Sequence, residues 1–94
     1  MADIERTISC TLDEDVLREK LDLLLHRIEA EYKDAKLEWE WEGYGVDFHG
    51  RGVRGFARII EHIIVIEVTL RWFTKGLRSE IEKKLDLWIK EETF

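Results

Sequence analysis

The sequence predicts an α+β domain in which an antiparallel sheet carries two helices on one of its faces. Five stretches alternate between apolar and polar residues, as strands with one wet face do. Two further stretches repeat apolar residues at helical spacing. The predicted order is β-α-β-β-β-β-α, and the short connections between the last four strands favour antiparallel pairing. A chain of 94 residues accommodates a single domain, residues 1–94.

The predicted strands follow from period-two alternation and from the turns between them. The stretch from Leu37 to Glu42 alternates Leu and Trp with Glu, and a turn at Gly43 leads into a second alternating stretch, which is typical of a hairpin. The last strand is apolar on both faces at its start, which favours a central position or a cover over one end of the strand. The predicted strands cover residues 3–12, 37–42, 44–49, 53–60 and 63–71.

The predicted helices cover residues 13–33 and 74–91, and each has one apolar stripe. The stripe of the first helix consists of Leu17, Leu21, Leu24, Leu25, Ile28 and Tyr32. The stripe of the second consists of Phe73, Leu77, Ile81, Leu85 and Trp88. Lys84 falls within this second stripe, so its aliphatic stem must extend past it to bring the ammonium group to water.

Composition and charge exclude several classes of function. A net charge of -6 opposes binding to free nucleic acid, which needs clustered Lys and Arg. Cys10 has no second cysteine for a disulfide, which fits a reducing compartment. No apolar run approaches the roughly 20 residues of a transmembrane helix, and the first residues do not resemble a signal peptide. We therefore expect a cytoplasmic protein without a transmembrane segment.

Nothing in the sequence predicts an enzyme. The run from Gly50 to Gly55 matches G-x-G-x-x-G, but a β-rich stretch follows where a phosphate site needs the start of a helix. Glycines in a turn and in a strand explain this match better than a phosphate-binding site does. The three histidines lack a second ligand at metal spacing, and Cys10 shares its strand face with apolar neighbours, which predicts a buried thiol. We expect no catalytic residue, no metal and no cofactor.

The order of motifs in the C-terminal two thirds resembles a known family. The run Leu37–Gly43 precedes an aromatic strand that ends at Phe48, and Gly52-Val53-Arg54-Gly55 precedes the alternating strand Ile63–Leu70 and the helix Ile81–Asp86. This pattern resembles the putative polyhydroxyalkanoic acid system family, small proteins associated with the synthesis and use of polyester granules in bacteria. The resemblance implies a granule-associated accessory protein and carries over no catalytic residue.

Apolar residues on the nominally wet face of the sheet form the predicted interaction surface, which we call the open-face patch: Phe56, Ile60, Ile63 and Val65. A contiguous exposed apolar patch often marks an interface. A homodimer across this face is the preferred use, and a polyester granule surface or granule proteins are the second. The first functional hypothesis is therefore a non-enzymatic accessory protein of the granule system that acts through such contacts.

Two further sets of residues have alternative interpretations. Arg51, Arg54 and Arg58 are candidate contacts for an anion, or they pair with the row of Glu38, Glu40 and Glu42 across the sheet. Trp39, Trp41 and Trp88 are core residues, or they line a cavity between sheet and helix. The cavity interpretation gives the second functional hypothesis, a carrier of a small apolar ligand.

Overall fold

The computed structural model describes residues 2–92 and 94, and it confirms the predicted fold class and order of elements. Two short 3₁₀ helices are added, at Lys33–Ala35 after α1 and at Lys75–Leu77 before α2. The elements are β1 (Ile4–Ser9), α1 (Glu14–Glu31), β2 (Glu38–Glu42), β3 (Gly45–Gly50), β4 (Val53–Ile60), β5 (Ile63–Leu70) and α2 (Arg78–Glu92).

The five strands form one sheet in the order β1-β5-β4-β3-β2, and all neighbours are antiparallel. β5 has a neighbour on each side, so of the two alternatives for its apolar start the central position is observed. Gly43 and Gly52 in the turns have positive φ angles of 61° and 78°, a conformation that glycine adopts without a steric penalty. The chain therefore runs from β2 to β5 through tight turns.

Both helices cover the same face of the sheet, and the core lies between the two layers. Ile4, Leu17 and Ile64 are almost completely buried there. On β2 the three glutamates are exposed, whereas Trp39 and Trp41 are half-buried and pack against the core. The predicted inside and outside of the sheet are therefore confirmed.

The start of the last helix differs from the prediction. Helix α2 begins at Arg78 rather than at residue 74. Phe73 and Leu77, which the helical stripe predicts to be buried, are 52% and 44% exposed. The reason is local, because residues 71–77 form a turn and a 3₁₀ helix, so the helical phase starts only at Arg78.

The Lys84 side chain extends past the apolar stripe as predicted. It donates a hydrogen bond to Glu31, which raises the pKa of Lys84.

Candidate ligand cavity and its rim

A cavity of about 560 Å³ lies between the sheet and the two helices. This volume falls within the range of about 300–1,000 Å³ for small-molecule sites. α1 contributes Leu21, Leu24, Leu25 and Ile28; the sheet contributes Phe48, Val53, Ala57, Ile66, Val68 and Leu70; and α2 contributes Ile81, Leu85 and Trp88. These walls are apolar, so they favour an apolar occupant over water.

The sequence of β3 and β4 explains why the space above the sheet is not filled. Phe48 lies opposite Gly55 in the register, and a Cβ at Gly55 would be 2.6 Å from Cζ of Phe48. The aromatic ring therefore lies close over the backbone of β4. Two residues on, Ala57 is buried and lines the cavity with a single methyl group. Because the Phe48 ring lies close to the sheet and Ala57 is small, these residues leave space between the middle of the sheet and the helices.

Tyr32 lines the cavity and carries a buried polar group. Its hydroxyl oxygen is buried and has no hydrogen-bond partner in the part of the chain that the structure describes. The Nζ atom of Lys84 lies 5.1 Å from the centre of the Tyr32 ring. Burial raises the pKa of Tyr32 and outweighs the opposing effect of nearby Lys84, so the hydroxyl keeps its proton. Buried polar groups normally have a hydrogen-bond partner.

The cavity reaches solvent where α1 ends. The rim combines exposed charged and apolar side chains: Glu31, Lys33, Asp34, Arg51, Phe73 and Leu77. Glu31 is paired with Lys84. Lys33 and Arg51 form no ion pair with any described residue, so both remain available to an anionic group. Of the three arginines predicted to contact an anion, Arg51 is the one that the structure brings to the cavity.

Beside the rim, residues 71–77 form what we call the aromatic turn. Trp72 is 84% exposed, and its ring meets that of Phe73 edge to face at 5.6 Å between centroids. The Arg71 amide and the Thr74 hydroxyl both donate to the carbonyl oxygen of Gly52, at 3.0 and 2.6 Å. The sequence prediction missed this surface. The sequence signal for this surface was the aromatic pair Trp72-Phe73. It lies between Arg71 and Lys75-Gly76, before the helical repeat of α2 begins.

Trp88 lines the cavity, but Trp39 and Trp41 do not. Both of their indole N–H groups donate to Oδ1 of Asp22 on α1, each at 2.9 Å, which fixes the two rings at the β2 edge of the core. Burial alone would raise the pKa of Asp22. The hydrogen bonds from Trp41 and Trp39, together with nearby His26, outweigh it and hold that pKa below its ordinary value. Of the two alternatives for these residues, Trp39 and Trp41 pack against the core, and Trp88 is placed at the cavity.

Arg54 and Arg58 lie on the open face of β4, away from the cavity. The guanidinium of Arg58 stacks on the ring of Phe56 at 4.7 Å. Neither arginine forms an ion pair with a described residue, and the predicted pairing with the β2 glutamates does not form. The reason is the strand order, because β3 lies between β4 and β2.

The open-face patch is only partly exposed. Ile60 and Ile63 are 56% and 43% exposed and face each other across the turn between β4 and β5. Phe56 and Val65 are half-buried. The exposed part of the patch is therefore the pair of isoleucines.

The glycines of the G-x-G-x-x-G match have structural roles. A Cβ at Gly50 would lie 2.6 Å from the Ala35 carbonyl oxygen, and one at Gly55 would lie 2.2 Å from that of Glu67. No helix starts there. Cys10 is buried, and burial raises the pKa of its thiol. Over residues 2–92 and 94, no group of three His, Cys, Asp or Glu side chains is placed to hold a metal ion.

Comparison with known proteins defines the class of this small α+β protein. The family model for "Putative polyhydroxyalkanoic acid system protein" matches residues 4–92. The chain belongs to that family. No curated protein and no solved structure matches it. In the part of the chain that the structure describes, neither helix is long and apolar enough to cross a membrane.

Proposed function

We propose that the protein is a non-enzymatic accessory protein of the polyhydroxyalkanoate granule system that binds an apolar chain in its cavity. One observation carries the proposal: a space of about 560 Å³ with apolar walls opens to solvent between the end of α1 and the aromatic turn. Membership of the family supports the link to the granule system and, with it, a cytoplasmic place of action.

The chemistry of the lining indicates the class of ligand. Each methylene group moved from water to apolar walls contributes about 0.8 kcal/mol, which favours an alkyl chain. The unpartnered hydroxyl of Tyr32 suits one hydroxyl or carbonyl oxygen on that chain. Lys33 and Arg51 at the rim suit a carboxylate. An alkanoic acid or hydroxyalkanoic acid has all three features.

The cavity walls support binding rather than catalysis. Among the described residues around the cavity, the charged groups lie at the rim. The Thr74 hydroxyl donates to backbone carbonyl oxygens, which leaves the Tyr32 hydroxyl as the other polar side-chain group of the lining. A nucleophile activated by an adjacent base would need two such groups within hydrogen-bond reach. We therefore assign the site the role of holding a chain and shielding it from water.

Titration of the protein with decanoic acid and with hydroxydecanoic acid, followed by calorimetry, tests the proposal. The substitution Ala57→Leu fills the cavity from its floor, and we expect it to weaken binding at least about tenfold, the loss of roughly two methylene contacts. Val65→Phe adds similar bulk on the opposite face of the sheet and should bind as the wild type does.

Two results would contradict the proposal. One is a wild-type protein that binds neither acid. The other is an Ala57→Leu variant with unchanged affinity, since that variant places a larger side chain directly in the proposed site. Native mass spectrometry of freshly purified protein adds an independent check, because a bound chain would appear as a defined increase in mass.

A second candidate function is a contact surface at the open-face patch, for a homodimer, a granule surface or granule proteins. It is supported by the exposure of Ile60 and Ile63, which lie together at one corner of the sheet. Light scattering over a range of concentrations tests the homodimer. A monomer at every concentration excludes it, and a dimer that persists in an Ile60→Glu, Ile63→Glu variant excludes this patch as its interface.

A further inference from the structure

The backbone hydrogen bonds of the aromatic turn keep its apolar side chains exposed to solvent. Trp72, at 84%, is more exposed than any other large apolar residue that the structure describes, and Phe73 and Leu77 are next to it in the turn. The backbone is nevertheless fixed, because the amides of Thr74 and Lys75 both donate to the Arg71 carbonyl oxygen, at 2.9 and 3.0 Å. The exposed aromatic pair is thus a stable feature of the surface, and such features mark interaction sites.

Basic residues surround this pair. The backbone of Arg71 is hydrogen-bonded to Gly52, so Arg51 and Arg71 lie on adjacent segments, and Lys75 follows within the turn. Lys75 forms a long ion pair with Asp3, with 3.9 Å between Nζ and Oδ1. Arg51 and Arg71 form no ion pair with a described residue.

At this end the basic residues Lys33, Arg51, Arg71 and Lys75 outnumber the acids Asp3, Glu31 and Asp34, and Glu31 is paired with Lys84, whereas the whole chain has a net charge of -6. At the other end of the molecule, the start of α1 carries a run of three acids at residues 13–15. An anionic surface would therefore attract the aromatic turn and repel the opposite end. Such a field orients the protein before contact.

We propose that the aromatic turn docks on an anionic lipid surface and holds the mouth of the cavity against it. Trp and Phe side chains favour the boundary between lipid headgroups and acyl chains, and nearby Lys and Arg neutralise the anionic headgroups. Phe73 and Leu77 also line the cavity, so a docked surface would cover its opening. The proposal extends the ligand-binding function, because an apolar chain could then pass between surface and cavity without crossing water.

Sedimentation with lipid vesicles tests the proposal. Wild-type protein is mixed with phosphatidylcholine vesicles that contain or lack phosphatidylglycerol, at low and high salt. We expect binding to the anionic vesicles that weakens with salt. Removing two basic residues in an Arg71→Gln, Lys75→Gln variant should lower the partition about 25-fold, roughly fivefold for each charge.

A pair of charge-matched variants tests the role of the aromatic side chain. Trp72→Glu should lower binding by about tenfold or more, because it removes the main inserting side chain and adds a negative charge. Leu87→Glu makes the same charge change at a residue of α2 that is 52% exposed and lies outside the cavity, so its binding should stay within about twofold of wild type.

Three results would overturn the proposal: no vesicle binding by the wild type, equal binding to neutral and anionic vesicles, or a Trp72→Glu variant that binds as the wild type does. If the protein does not bind vesicles but forms a dimer that the Trp72→Glu substitution disrupts, a second copy of the chain occupies the aromatic turn instead. The vesicle assay needs no cavity ligand, and the calorimetric assay needs no lipid. Docking and ligand binding can therefore fail separately.

Discussion

The two ends of this molecule are built from the same sheet and the same two helices, yet one is closed and the other is open. At the closed end, where β1 ends and α1 begins, loops are tied to one another across the fold. The Cys10 amide donates to the His62 carbonyl oxygen at 2.6 Å, and the Tyr44 hydroxyl donates to Asp15 at 2.9 Å. The core beneath these contacts is buried.

At the open end, hydrogen bonds link the loops of the sheet but leave the space under the helices accessible. The Arg51 amide donates to the Ala35 carbonyl oxygen at 2.7 Å, and the aromatic turn is bonded to Gly52. Phe73 and Leu77 stay at the rim instead of filling the space behind it. The fold alone therefore does not close the core. The size of the side chains on β4 and the course of the connecting segments decide it.

The largest expected difference between the two ends comes from truncating helix side chains. Leu17 is completely buried near the closed end, and Leu17→Ala should lower the free energy of unfolding by about 4 kcal/mol, because it creates a new void. Ile28 is half-buried and already faces the cavity, so Ile28→Ala should cost only about 1–2 kcal/mol. Urea denaturation measures both. Equal losses would mean that the core is packed uniformly.

Glycines in the turns offer a second comparison. Gly52 at the open end and Gly43 at the closed end both have positive φ, which costs an L-residue about 1 kcal/mol or more. A Cβ at Gly52 would also lie 2.4 Å from Cγ2 of Thr74, whereas nothing lies within 4 Å at Gly43.

Gly52→Ala should therefore lower the free energy of unfolding by about 3 kcal/mol and Gly43→Ala by about 1 kcal/mol. Only the first should also disturb the aromatic turn, which near-ultraviolet circular dichroism can follow through Trp72. A Gly52→Ala variant as stable as Gly43→Ala would show that the aromatic turn adjusts freely, and the fixed backbone proposed for it would be wrong.

A smaller effect concerns the contact between α1 and the β2 edge. The pKa of Asp22 is lowered in the folded protein, so its stabilising contribution is present above the unfolded value of about 3.8 and is lost as the pH falls through the folded value. Asp22→Asn should cost about 1 kcal/mol at pH 7, since the charged acceptor of both indole N–H groups is lost.

The difference between Asp22→Asn and wild type should shrink as the pH falls below about 4. Urea denaturation at neutral and acidic pH measures it, with Asp47→Asn on the open face as the control. A constant difference at both pH values would indicate that the carboxylate charge of Asp22 contributes nothing to stability.

The sequence was sufficient to predict the strands, the helices and the faces they bury, except at the start of α2. Alternation on β2 separates Glu40 from Trp41 unambiguously, since a strand has only two faces. The order of elements then followed from short connections, and the family resemblance was confirmed.

The cavity and the aromatic turn could not be predicted in the same way. Periodicity shows that Ala57 faces the helices, but not whether a helix side chain reaches down to it. Likewise, Phe73 and Leu77 fit a helical stripe in sequence, and only the bonds of the turn to Gly52 show that the helix has not yet started. Both features depend on distances between elements far apart in the chain, which local patterns do not encode.

The most direct test of the cavity is the free energy of unfolding of Ala57→Leu, measured in urea beside the wild type. If the space above β4 is a cavity, the larger side chain enters it without strain, and stability stays the same or rises by about 1 kcal/mol. If the core is packed there, overpacking lowers stability by about 1–3 kcal/mol, and the account of this protein as the holder of an apolar chain is contradicted.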